Sequence, residues 1–149
     1  MGGLKGISPL ISPDLLRILS QMGHGDEIAD YHFPSESVGR CGPTVLRADG
    51  INIPELLEAI LRFLPLDVVG GKSTLYLMAV QASDVAAGET SPPVWDKYLS
   101  IANSVEECVE KFEIERFAFY ERAKKAFAVV HTGETAKYGN VILKKGLVL

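Results

Sequence analysis

Residues 22 to 34, MGHGDEIADYHFP, set His24 between Gly23 and Gly25 and follow it with Asp26, Glu27, Asp30 and His32. Imidazole is the side chain whose ordinary pKa suits proton transfer near neutral pH. Glycines on both sides leave it sterically open to a small ligand. The chemistry offered is general acid/base catalysis, with His24 as the candidate group. Two plainer uses compete: a histidine hydrogen-bonded to the end of the preceding helix, and a metal site built from His24, Asp26 and His32. That spacing matches none of the compact zinc patterns, and His131 stands far along the chain. If residues 24 to 30 ran extended, His24 and Asp30 would share a face but lie roughly 20 Å apart at about 3.3 Å per residue. Either the glycines curl the loop back or the two residues meet different ligands.

A second cluster lies in ERFAFYERAKKAF, residues 115 to 127. Arg116 and Tyr120 are four apart and share a helix face if the helix begins early enough, with Ala123 and Phe127 continuing it. The alternative is a half-buried aromatic beside a surface charge. Glu121 with Lys124 or Lys125 reads as a solvated charge pair. In the third cluster, TGETAKYGNVIL, residues 132 to 143, Tyr138, Gly139 and Asn140 precede a strand. Gly-Asn there is an ordinary turn. An amide and backbone groups beside a phenol also supply the donors and acceptors that a polyhydroxylated ligand requires. The chain carries no GxGxxG, Walker loop, GxSxG elbow or HExxH, which argues against nucleotide binding and the commoner hydrolases.

These residues need elements to position them. Ser12, Pro13 and Asp14 start a helix bearing Leu15, Leu16, Leu19 and Met22, with Gly23 placed to end it in a left-handed cap. DEIAD reads as a strand. A second helix begins near Pro54, carries Leu56, Leu57, Ile60, Leu61 and Leu64, and stops at Pro65. STLYLMAVQ from 73 reads as a buried strand, and SDVAAGETSPP, residues 83 to 93, as a loop at a rim. Helical stretches follow near Val94 to Ile101 and Val105 to Lys111. Then come a strand in FEIERF, a helix in AFYERAKKAF, and strands in AFAVVHTGE and NVILKK. The alternation predicts an α/β sandwich, a sheet with packed helices, as one domain over residues 1–149.

The 149 residues are enough to bury a core, and 47% hydrophobic against 23% charged residues is a globular balance. A net charge of −4 without a long basic run makes nucleic acid and anionic membranes poor partners. The N-terminus lacks a signal-peptide core, and no apolar stretch is long enough to span a bilayer. Cys41 and Cys108 read as ordinary thiols of a cytoplasmic protein. The positive mean hydropathy of 0.15 hints at apolar surface shared between subunits.

Taken together, MGHGDEI, AD followed by FP, CGP, RADG, LPLD, ERFAFYERAKKAFAVVHTGE and YGNVILKKG resemble the fucose mutarotase family, a relative of the ribose pyranases. The resemblance runs from Leu4 to Gly146, and the block from 115 to 146 fits the fucose branch. It implies a small α/β subunit in a homo-oligomer, ring-shaped in bacterial members, with sugar sites at subunit contacts and no metal or organic cofactor. It implies His24 as the catalytic acid, Asp30 holding a sugar hydroxyl, Arg116 or Tyr120 closing over the sugar, Tyr138 and Asn140 lining the other wall, and Asp67 as a further contact. Trp95, Phe119 and Tyr120 are candidates for an apolar wall against the C6 methyl of L-fucose.

One departure stands out. Family members carry two more residues between DEI and AD, as in DEIVLAD, whereas here Ile28 runs straight into Ala29. Removing two strand residues keeps each side chain on its face but shifts the downstream residues by roughly 7 Å. His32 also replaces a small polar residue. The expected activity is therefore anomer interconversion of L-fucose, altered or reduced. The alternatives are a ribose-type enzyme and a sugar-binding oligomer impaired by the short segment.

Overall fold

In the computed structural model, which describes residues 3–31 and 43–148, Ser12 opens the first helix, α1 (Pro13–Gln21). Its hydroxyl accepts from the Leu15 N–H at 3.1 Å, and Leu15, Ile18 and Leu19 turn inward. The end of α1 differs from expectation. Met22 leaves in an extended conformation, and the Lys145 ammonium donates to the carbonyls of Leu19 and Met22 at 2.9 and 2.6 Å. A cation thus closes the negative end of the helix, and the left-handed glycine is Gly25, at φ +88°, not Gly23. His32 and Cys41 lie outside the described residues.

Next come strands β1 (Glu27–Tyr31) and β2 (Thr44–Ala48), helix α2 (Ile53–Leu61), and strands β3 (Val68–Val69) and β4 (Lys72–Met78). Helices α3 (Ala82–Ala86) and α4 (Val94–Val105), strand β5 (Val109–Ile114), helix α5 (Arg116–Lys124), and strands β6 (Ala128–Thr132) and β7 (Val141–Lys144) complete the order. Two expectations are corrected. The stretch expected to be helical over Val105 to Lys111 leaves the helix after Val105, turns through Cys108 at a left-handed φ of 54° and becomes strand from Val109. The Asn103 amide there holds both the N–H and the carbonyl of Val109, at 2.9 and 3.3 Å. The stretch read as a loop from 83 begins with the short helix α3.

Among the described residues seven strands form one sheet, in the order β2, β6, β1, β7, β4, with β3 and β5 both pairing with β4. β1, β2 and β6 are mutually parallel, β7 is antiparallel to β1 and β4, and β5 is parallel to β4. Five strands therefore point one way, and their carboxyl ends share an edge with the start of β7. The register puts Ile28, Asp30, Leu75, Leu77, Val141 and Leu143 on one face. α5 packs on the other face, where Arg122 lies 3.9 Å from the Tyr76 ring centroid and pairs with Glu27 at 2.7–3.0 Å. The mixed α/β single-layer sheet with packed helices is the fold class expected.

Candidate active site

A cleft of about 410 Å³ opens at the carboxyl ends of the parallel strands, the edge where α/β sheets characteristically receive ligands. Four of the residues expected in a site line it: Arg116 and Tyr120 from α5, and Tyr138 and Asn140 from the segment before β7. α5 begins at Arg116, so one helical turn brings its Nε to donate to the Tyr120 hydroxyl at 3.2 Å. Glu115 caps this helix through the N–H groups of Phe117 and Ala118 at 3.0 Å, bonds that hold its carboxyl below the ordinary carboxylate range.

Tyr138 sits at φ +60°, an uncommon backbone state for a residue with a side chain. Buried partners hold it there: Trp95 Nε1 donates to its carbonyl and the Tyr98 hydroxyl to the carbonyl of Gly139, each at 2.8 Å. A Cβ at Gly139 would stand 2.8 Å from the Ala136 carbonyl oxygen, so the turn tolerates only glycine. Glu134 ties the turn to α2, accepting from the N–H of Ile53 at 3.3 Å and from those of Thr135 and Ala136 at 3.0 and 3.1 Å.

Sequence reasoning missed Gln81, Asp84 and Lys137, which complete the cleft with Met78 and Thr135. The rim reading of residues 83 to 93 was the available signal. The Tyr138 hydroxyl donates to Asp84 Oδ2 and accepts from the Gln81 N–H at 3.2 Å. That bond, then Lys137, holds the Asp84 carboxyl below the ordinary range. Burial, then Asp84, pushes the Tyr138 phenol above the ordinary tyrosine value. Of the three candidates for a methyl wall, Trp95 and Phe119 are fully buried, leaving Tyr120 at the cleft.

His24 and Asp67 meet elsewhere. His24 rides a tight turn in which Gly23 N–H donates to Asp26 Oδ2 at 2.7 Å and Gly25 N–H to the Lys145 carbonyl at 2.8 Å. Asp26 is thereby engaged with backbone. The His24 ring is half exposed, and its Nε2 stands 3.1 Å from Asp67 Oδ1, with Lys144 Nζ 3.7 Å from the other oxygen. Asp67 is drawn in because Gly146 passes so close that a Cβ would lie 2.4 Å from the Leu66 oxygen. This pair sits beyond the end of β7, whereas Asn140 sits before its start. Lys145 is five positions after Asn140, roughly 17 Å at about 3.3 Å per residue.

Asp30 joins neither group. It is 0% exposed within β1, opposite Val141 and Val130, and among the described residues neither carboxyl oxygen has a hydrogen-bond partner. Burial pushes its pKa up to about 7. The expectation that Asp30 reaches a ligand at the cleft differs from this placement. Asp30 stands one residue before the end of β1, opposite Val141 at the start of β7 and on the face of Ile28.

The family model for RbsD / FucU transport proteins matches residues 5–148. The chain belongs to the RbsD/FucU family. Within that family it is 54% identical to the human protein named fucose mutarotase, over 99% of this chain and 96% of that one. It is 51% identical to the zebrafish (Danio rerio) protein of the same name, over 97% and 94%. Among solved structures, the fucose mutarotase of Streptococcus pneumoniae in complex with L-fucose superposes with a TM-score of 0.83 at 43% identity, covering 98% of this chain and all of that one. As a RbsD/FucU member the chain shares its architecture with a sugar-bound relative, and its cleft presents phenols, amides, a hydroxyl, a guanidinium, an ammonium and a carboxylate.

Proposed function

We propose that this protein is an isomerase that interconverts the α and β anomers of L-fucose. The observation that carries the assignment is identity above 50% over almost the whole chain to proteins named fucose mutarotase. The reaction breaks the bond between the anomeric carbon and the ring oxygen, turns the aldehyde about C1–C2 and closes it on the other face. The ring oxygen gains a proton as the anomeric hydroxyl loses one, and both return on closure. His24 is the proton donor in this reading. Asp67 orients its imidazole and stabilises the cationic form.

Arg116, Tyr120, Tyr138 and Asn140 bind the sugar's hydroxyls, and Met78 with the Tyr120 ring gives the apolar surface for the C6 methyl. Because the His24 pair and the cleft lie at opposite ends of β7, one sugar meets both only where two copies of the chain abut. The working unit is then a homo-oligomer in which one subunit's His24 and Asp67 cover a neighbour's cleft. Asp30, enclosed in the sheet, takes no part in these contacts. A cytoplasmic setting accords with the exposed free thiol of Cys108.

Complementation tests this reading. L-fucose exchange is followed by NMR saturation transfer in His24→Ala and Arg116→Glu proteins, each inactive on its own, then in the two co-assembled. Recovered exchange supports a site shared between copies. Absence of exchange in the unaltered, folded protein would remove the enzymatic assignment.

A further inference from the structure

The Tyr138 hydroxyl has one proton and two lone pairs. The proton goes to Asp84 and one lone pair receives the Gln81 N–H. A single lone pair remains on the side of the cleft that Tyr138 lines. Tyr120 has the opposite polarity: its oxygen accepts from Arg116, and among the described residues its proton has no acceptor. The two phenols of the cleft thus differ in what they offer, and the difference is imposed by Asp84 on one and Arg116 on the other.

Resting on the fucose reading above, we propose that Asp84 is a positioning residue that makes Tyr138 an obligate acceptor, so that this wall selects a sugar hydroxyl presented as a donor. Asp84 is held for that task. Lys137 bridges its Oδ2 at 3.1 Å to Glu89 at 3.0 Å, and the Glu89 N–H donates to the Asp84 carbonyl at 2.9 Å, closing helix α3 onto the cleft rim. Without the carboxylate the phenol proton is released, and the ring is free to turn its donor towards the ligand. A hydroxyl that must donate then meets a donor.

The test is a double-mutant cycle on exchange kinetics, with Asp84→Ala, Tyr138→Phe, both together, Asp84→Asn and, as a control away from the cleft, the exposed Glu58→Gln on α2. Asp84→Ala is expected to raise KM about tenfold, the loss of one hydrogen bond's worth of binding, and to change kcat much less. It should add nothing in the Tyr138→Phe background, because its effect passes through the phenol. Asp84→Asn, whose amide oxygen still accepts the phenol proton, should restore most of the KM, and Glu58→Gln should leave it unchanged. Full additivity of Asp84→Ala with Tyr138→Phe overturns the proposal while leaving the mutarotase assignment intact.

A sugar-independent arm keeps the two apart if no exchange is seen. With carbon-13 at the tyrosine Cζ, the Tyr138 resonance should titrate above the ordinary tyrosine range and move down in Asp84→Ala. An unmoved titration overturns the proposal by itself.

Discussion

His24 Nε2 lies 3.1 Å from Asp67 Oδ1, across a junction made by the loop after α1 and the turn after α2. The imidazole stays half exposed while the carboxylate behind it is mostly covered. In the reaction proposed above His24 is the proton donor and Asp67 its fixed counter-charge, and the pair is separable by mutation. His24→Ala should lower L-fucose exchange by on the order of 10²-fold or more. Asp67→Asn should lower it by about tenfold, the worth of one charge-assisted hydrogen bond. Saturation-transfer NMR of both variants at a pH of slow spontaneous exchange measures the two effects. Equal loss in the two would make Asp67 an essential group in its own right.

Asp30 makes the fold sensitive to pH. Its pKa in the folded chain is about 7 against 3.8 when solvated, so the native state holds the proton more tightly than the unfolded state. The contribution of Asp30 to stability is therefore fully present below about pH 4, declines as pH rises towards 7, and is lost above, a change on the order of 4 kcal/mol. Asp30→Asn cannot ionise. Urea unfolding of both proteins at several pH values should show the stability difference moving in favour of the asparagine variant between pH 4 and 7, then holding constant. A parallel pair of curves would show that Asp30 keeps its charge in the folded chain.

Gly146 determines where Asp67 can be. An added Cβ would meet the Leu66 carbonyl carbon at 2.7 Å and the Asp67 Cα at 2.9 Å, both backbone. Gly146→Ala should therefore cost about 1–3 kcal/mol of stability and reduce exchange by moving Asp67 off His24. Thermal unfolding and exchange rates of the same preparation check both. Full activity at reduced stability would detach the counter-charge from the chemistry.

Glu134 links the helical layer to the cleft. Its buried carboxylate satisfies three backbone N–H groups, one at the start of α2 and two in the turn that leads to Tyr138. Glu134→Ala leaves those donors without partners and should destabilise the chain by roughly 2–4 kcal/mol, measurable by urea unfolding. The KM for L-fucose should rise as Tyr138 loosens. Glu134→Gln, keeping one acceptor oxygen, should fall between.

Much of this fold could be read locally. Ser12 and Pro13 start α1 where their chemistry dictates, and Pro54 lies in the first turn of α2. The alternation in EIAD and the apolar run in TLYLM became strands paired at the centre of the sheet. The misreadings came from non-local bonds. Val105 to Lys111 carries apolar residues at helical spacing, yet Glu106 accepts from Leu66 N–H at 2.7 Å and from the Ser73 hydroxyl at 2.8 Å. Those bonds draw the chain out of the helix and into the sheet beside β4. Gly23 was a reasonable cap by type, but Lys145, far along the chain, supplied the closing charge instead.

The candidate residues themselves were also legible, since a histidine between glycines, an Arg and Tyr one helical turn apart, and a Tyr-Gly-Asn turn are short-range patterns. By itself the sequence determined which groups are available and which helices and strands carry them. Only the tertiary structure decided that the strands' carboxyl ends gather Arg116, Tyr120, Tyr138 and Asn140 while the His24–Asp67 pair lies at the other end of β7. It also brought Asp84 to Tyr138 and sank Asp30 into the sheet. The physical reason is range. Capping, helix spacing and strand alternation act over a few residues, whereas these placements depend on strand order and register, which are fixed by burying a shared core among segments distant in the chain.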